Sequence, residues 1–377
     1  MSKKHCLRKE SLLLHDVVEN ILERLSVKTL LRFKAVSKQW NSTIESRYFQ
    51  EKQLKHRQQS GDPDVLMVSV CPYDVRNPTI ESLRTLQLGS SSTVKIPTPW
   101  EKDNIWYLVS YSSCDGLVCL YHPHKSGYVV NPTTRWYRPL PLCGFQKLMN
   151  DLGDGYNKLG HKFFRLGFGK DKFTGTYKPV WLYNSLEIGL ENATTCEVFD
   201  FSTNVWRYVT PAAPYRVFAY PEPVYLDGSL YWFTECEETK VLSFDLHTET
   251  FQVVSKAPFD NVDPYNIFLC NLDNRLCVSE MKWPNQVIWS FNSGNKTWDK
   301  LCCIVLDVKF DTRLCAVLPL ALFDGKKKKK SKLMFCGREL TRTLITHDLE
   351  TKSYDVTFTA ESIGFPVLYF QSLISIS

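Results

Sequence analysis

From Asp16 onward the apolar residues Val17, Val18, Ile21, Leu22 and Leu25 recur at the spacing of one helical face. They predict a short amphipathic helix, with Asp16 and Glu19 three places apart as a capping arrangement for its start. A second apolar cluster follows at Leu30, Leu31, Phe33 and Val36, and Ser37 is placed to cap a third helix that presents Trp40 and Ile44 four residues apart. Three short helices enclose little core of their own. Any apolar face left over is expected to be completed by a partner.

The pattern then changes period. A polar stretch from His56 to Asp64 reads as a linker, and beyond it come short apolar runs separated by turn residues. One unit recurs: a strand ending in Asp or Asn, Thr three places later and an aromatic six places later. Its copies are Asn131/Thr134/Tyr137, Asp200/Thr203/Trp206, Asp245/Thr248/Phe251, Asn292/Asn295/Trp298 and Asp348/Thr351/Tyr354, the fourth carrying Asn in place of Thr, with a degenerate sixth at Leu88/Ser91/Val94. The period is about 45 residues with insertions, which is the range of propeller blades. A second turn precedes these: Asp115-Gly116, Asp227-Gly228, Asp273-Asn274 and Asp324-Gly325, each followed by an apolar strand. Asp-Gly between apolar runs is a hairpin signal because Gly tolerates positive φ. The expected blade is therefore a four-stranded antiparallel meander, and about six of them could close a ring, with a β-sandwich as the alternative.

The stretch from Leu14 to Leu25, followed by Val27 to Trp40 with its Val36-Ser37-Lys38-Gln39-Trp40 ending, resembles an F-box. The resemblance runs from about Leu13 to Phe49 and implies docking onto a Skp-family adaptor, and through it onto a cullin. The chain departs from the family by carrying Leu14 and Ser26 where proline is usual. Proline presets φ and removes an unpartnered donor at a helix start, so its loss is expected to soften those starts and weaken the adaptor contact. The later motifs Cys114-Asp115-Gly116-Leu117-Val118-Cys119, Asn131-Pro132-Thr133-Thr134, Leu166-Gly167-Phe168-Gly169 and Glu197-Val198-Phe199 resemble the F-box-associated domain common in plants. Kelch propellers are similar in style, but their paired glycines are absent. The expected organisation is α+β and multidomain: a three-helix F-box in residues 1–55, a linker at 56–64 and an all-β propeller in 65–377.

Composition narrows the chemistry. The net charge of +6 is concentrated at the front, where residues 1–60 hold 13 Lys and Arg against 6 Asp and Glu. The remainder offers no general polyanion surface, apart from the run Lys326 to Lys330 with Lys332 beyond it, so nucleic-acid binding is not expected. That run is expected to be a solvated hairpin tip, with nuclear targeting or self-ubiquitination as its functional readings. The 13 cysteines are odd in number and form no C-x-x-C pair, which fits a reducing compartment. No membrane span or signal core is expected, since the longest apolar run, Leu314 to Phe323, carries Pro319 and is about half a span. A nuclear or cytoplasmic location follows.

No nucleophile elbow, zinc-protease helix, Walker loop or dinucleotide fingerprint occurs. Cys119, His122 and His124 form an incomplete metal set, and recurrent carboxylates such as Asp200 and Asp245 read as turn caps. No cofactor, metal or catalytic residue is expected. The resemblance instead implies a non-catalytic substrate receptor of a Skp-cullin-F-box ubiquitin ligase, acting on an unknown target. A scaffold outside any ligase, or a propeller enzyme, are the alternatives. Leu14, Ile21, Leu22, Leu25, Leu30, Leu31, Val36 and Trp40 are expected to divide between adaptor contact and the module's own core. The loops joining second to third strands, near Tyr121–Ser126, Phe233–Thr239, Ser279–Asn285 and Cys336–Arg342, would form a recognition face opposite the turns. Loops and aromatic or Arg anchors favour Trp283 and Arg338 there, then His124 and Glu238.

Overall fold

The computed structural model describes residues 15–61, 63–69, 82–86, 93–96, 108–110, 112–152, 164–185, 193–260, 262–306, 316–323, 332–337, 343–359 and 365–376. Among the described residues the front segment holds four helices where the sequence pattern predicts three: α1 (residues 15–22), α2 (Val27–Phe33), α3 (Lys38–Glu45) and α4 (Arg47–Ser60). Three serines start the last three. Ser26 Oγ accepts from the Thr29 N–H at 3.3 Å, Ser37 Oγ from Trp40 at 3.1 Å and Ser46 Oγ from Phe49 at 3.3 Å. Ser26 thus replaces the preset φ of a proline by satisfying one of the free amides of α2. Asp16 lies within α1 and does not precede it.

Residues 56–60, expected to begin a linker, are the last turn of α4. Helix α4 is long and polar: Phe49, Gln50, Gln53 and Leu54 are its buried positions, and most of the others are exposed. Its periodicity is too sparse to be seen as a helical stripe.

Among the described residues the strands form six four-stranded antiparallel sheets. Blade 2 runs from Leu108–Val109 to Trp136–Leu140, blade 3 from Leu166–Lys170 to Val205–Val209, blade 4 from Val224–Leu226 to Phe251–Lys256, blade 5 from Ile267–Leu272 to Thr297–Val305 and blade 6 from Leu318–Phe323 to Tyr354–Thr359. Each is a meander in chain order. Blade 1 is composite. Its strands Asp64–Ser69, Ser82–Leu86 and Thr93–Ile96 come from the start of the domain, and Phe365–Tyr369 from its end pairs with the first of them, Leu66 opposite Val367.

The first strands of successive blades approach one another and are buried, as in Leu166–Lys170 and Ile267–Leu272, whereas fourth strands such as Val205–Val209 and Phe251–Lys256 are largely exposed. Apolar clusters between neighbouring blades close the ring. Leu66, Val118 and Val367 join blades 1 and 2, Phe168, Tyr177 and Leu117 join 2 and 3, Val180 and Phe244 join 3 and 4, and Phe233 and Ile267 join 4 and 5. A further cluster, with Cys277, Phe335 and Val65, runs from blade 5 through 6 back to 1.

The recurrent turns have the local geometry their residues demand. Asp115-Gly116, Asp227-Gly228 and Asp273-Asn274 all have positive φ, as a two-residue hairpin turn of the primed type requires. In the other family of turns the Asp or Asn side chain accepts from the backbone two residues on: Asn131 from Thr133, Asp200 from Ser202, Asp245 from His247, Asn292 from Gly294 and Asp348 from Glu350. The fifth residue of each turn, from Arg135 to Lys352, takes positive φ. Leu88, Ser91 and Asp324-Gly325 lie outside the described residues.

Candidate functional site

The front helices leave two kinds of surface. Leu22, Val27, Leu30, Ile44 and Phe49 are buried together with Leu373 from the far end of the chain, and Val18, Leu25, Leu31, Phe33 and Trp40 pack half-buried around them. The Phe33 and Trp40 rings lie 5.3 Å apart. Ile21 and Val36 stay 54% and 59% exposed, and Val17, one turn before Ile21 on α1, is 55% exposed. Of the eight positions expected to serve adaptor or core, Leu22 and Leu30 are therefore core. Leu25, Leu31 and Trp40 straddle its edge, Ile21 and Val36 are open, and Leu14 lies outside the described residues.

Helix α4 fastens the module from behind. Lys52 Nζ reaches Glu19 at 2.8 Å and Glu23 at 3.0 Å, which raises its pKa, and Gln53 Nε2 donates to Leu25 O at 3.2 Å. On its other side Leu54 joins the apolar cluster between blades 2 and 3. Arg47 Nη2 donates to Tyr177 Oη at 3.3 Å, and Tyr177 Oη donates to Asp115 Oδ2 at 2.8 Å. That carboxylate also takes Lys170 Nζ at 2.7 Å. Burial first, then the Asp115 charge, pushes the Tyr177 phenol well up, so it stays a donor. Asp115 and Tyr177 belong to the turn face of the propeller, so the helices are mounted there. The sequence marks Asp115 only as a hairpin residue; nothing in it signals Arg47, Tyr177 or Lys170 as an interface.

The loops joining second to third strands lie at the opposite ends of the strands. His124 sits in the loop of blade 2, where a ring nitrogen meets Asn150 Oδ1 at 3.1 Å and its backbone N–H donates to His122 Nδ1 at 3.0 Å. This loop is held by α5 (Gly144–Leu152), a helix the sequence pattern did not single out. Gln146 Nε2 donates to His122 O at 2.7 Å and Lys125 O at 2.5 Å, while the buried Glu197 carboxylate accepts the N–H groups of Gly144 and Phe145 at 2.7 Å each. Glu238 in blade 4 is exposed and paired with Lys256 at 3.2 Å. In blade 5 the strands extend to Lys282 and resume at Asn285, so the expected loop Ser279–Asn285 shrinks to the turn Trp283–Pro284, with Trp283 45% exposed. Arg338 and Lys326 to Lys330 lie outside the described residues. The three described picks stand on three different blades.

Cys119 is buried in its strand as part of the apolar cluster between blades 2 and 3, and burial raises its thiol pKa. Among the described residues no group of three or more His, Cys, Asp or Glu could hold a metal ion, and no helix is long and apolar enough to cross a membrane. Asp200 accepts from the Ser202 hydroxyl and backbone N–H, which holds its pKa below the usual carboxylate range and ties it to turn formation.

Comparison with known proteins matches both regions. Residues 11–52 match the F-box domain, and residues 69–376 match the F-box associated beta propeller domain. The Arabidopsis thaliana F-box/LRR-repeat/kelch-repeat protein At1g09650 is 70% identical over the full length of both chains. Two F-box proteins of the same plant, At2g34280 and At5g10340, are each 52% identical over 97% of this chain, covering 99% and 85% of their own lengths.

Proposed function

The chain belongs to the F-box proteins that carry an F-box associated β-propeller, and from that premise we propose that it is the substrate receptor of a Skp-cullin-F-box ubiquitin ligase. The front helices dock on a Skp-family adaptor, and the propeller presents its loop face to a target protein. The chain performs no bond chemistry. It holds a target lysine within reach of a conjugating enzyme carried elsewhere on the assembly, converting a rare encounter into a local one.

The observation that carries this reading is the apolar surface left on α1 and after α2, where Val17, Ile21 and Val36 remain exposed although α4 and Leu373 have covered the other side of the same helices. A small module that spends apolar residues on solvent is shaped for a protein partner. The mounting on the turn face leaves the opposite loops of the propeller clear of the adaptor, with Trp283 as the aromatic anchor.

The test is capture of a purified Skp-family adaptor by the full chain. Ile21→Asp with Val36→Asp should weaken capture at least tenfold and leave the melting curve in place, because both side chains are exposed. Undiminished capture by the double variant would remove the proposed surface.

A further inference from the structure

The last residues of the chain do more than end it. Past the strand Phe365–Tyr369, residues 370–376 leave the sheet and run between the front helices and the propeller. Leu373 is 4% exposed in the core of the helical module, and the next residue, Ile374, is fully buried in the cluster between blades 2 and 3. Adjacent side chains thus belong to two different cores.

The backbone here is held from both sides. Asn131 Nδ2 donates to Ser372 O at 3.0 Å and Ile374 O at 2.9 Å, using the amide end of a side chain whose oxygen caps its own turn. Arg47 Nη1 of α4 donates to Ser375 O at 3.3 Å. Gln371 Nε2 donates to Asp64 Oδ2 at 2.8 Å. The Gly116 turn lies so close that a Cβ there would collide with Phe370 O and the Ser372 side chain, a physical reason for glycine beyond its positive φ. A cleft of about 780 Å³ opens between Arg47 and Gln50 on one side and Tyr177 and Phe201 on the other, with Ser375 and Ile376 on its wall.

We infer that residues 370–376 are a clamp that fixes the orientation of the F-box helices on blades 2 and 3, with Leu373 and Ile374 as its two pegs and Asn131 as the residue that seats it. The clamp sets the separation and angle between adaptor surface and loop face. Its consequence for ubiquitin transfer rests on the ligase reading; its mechanical role does not.

The experiment compares the full chain with a version ending at Gln371, with Leu373→Ser and with Leu373→Met, by small-angle X-ray scattering and by hydrogen exchange resolved by mass spectrometry. The shortened chain and Leu373→Ser should show a larger maximum dimension and at least tenfold faster exchange across α4, with blades 4 to 6 unchanged and helical circular dichroism retained. Leu373→Met should behave as the parent. Should the shortened chain fail to fold, Leu373→Ser carries the test, since it leaves the pairing of blade 1 intact. Unchanged scattering and exchange would overturn the clamp, and so would loss of the helical signal itself, which would make Leu373 merely part of the module's core. Neither readout involves an adaptor, so the clamp stands or falls separately from the ligase reading. With adaptor and cullin present, the clamp predicts unchanged adaptor capture by Leu373→Ser alongside slower transfer onto lysines of a target held at the loop face.

Discussion

The front helices and the propeller solve the same problem, burying apolar residues, in opposite ways. The helical module buries Leu22, Val27, Leu30, Ile44 and Phe49, takes in Leu373 from more than three hundred residues away, and still exposes Val17, Ile21 and Val36. The propeller has no such shortage. Each inner strand is covered by a neighbouring blade on either side, so runs such as Val118–Tyr121 are buried at every position. Most exposed large apolar residues there fall on fourth strands, at Tyr137, Val205, Tyr208, Val253, Val305 and Val356, and the others, Phe173, Tyr265 and Trp283, stand in turns. Repetition lets each unit complete the next, whereas a single short bundle must borrow or share. The module that shares is the one suited to a partner, and the module that closes is suited to be a rigid platform.

The comparison breaks most visibly if the ring is forced open. Gly169 lies on the innermost strand of blade 3, where a Cβ would overlap the Tyr225 ring of blade 4. Gly169→Val should cost more than about 3 kcal/mol and collapse the cooperative melting of the propeller, read by near-ultraviolet circular dichroism. Retention of the parental melting curve would show that the blades tolerate separation.

A smaller effect sharpens the contrast at the loop face. Burial lowers the His122 pKa to about 4, with the neighbouring charges of His124 and Lys125 acting the same way. Its Nδ1 accepts the His124 N–H, which requires the neutral ring. A histidine depressed below its unfolded value of about 6.5 lends stability that is complete above that pH and is lost as pH falls toward 4. His122→Gln should therefore flatten the loss of thermal stability between pH 6.5 and 4. An equally steep loss in the variant would assign the acid sensitivity to other groups.

The repeated turns are expected to matter least one at a time. Asp245→Ala removes the acceptor for the His247 and Thr248 amides and should cost about 0.5–2 kcal/mol, by analogy with the loss of a helix cap. Chemical denaturation would measure it. A cost near that of Gly169→Val would mean that the turns, and not the packing between blades, hold the ring.

Much of this architecture is legible in the sequence, and the parts that are not share a cause. Ser37 as a cap, Asp115-Gly116 and Asp227-Gly228 as hairpins, and the recurring Asp-x-x-Thr turns were readable because each depends on hydrogen bonds and φ values within a few residues. The apolar pattern predicts no helix at α4 and a linker from residue 56, since its reason for being helical is the pairing of Lys52 with α1 and of Leu54 with the propeller. Helix α5 leaves no such local signal because its start is fixed by Glu197, far along the chain. The loop around Trp283 is shorter than the pattern predicts, as strand pairing between Lys282 and Asn285 carries the ladder to its tip.

The sequence by itself determined the two regions, their order, the repeating blade and its turns, because local dihedral preference and apolar period are properties of neighbouring residues. Only the tertiary structure decided which of the eight apolar positions on the front helices are spent on the core and which face outward, and that a segment at the far end of the chain is pegged between the two regions. Burial is set by what arrives from a distance, and no window of sequence contains both Leu30 and Leu373.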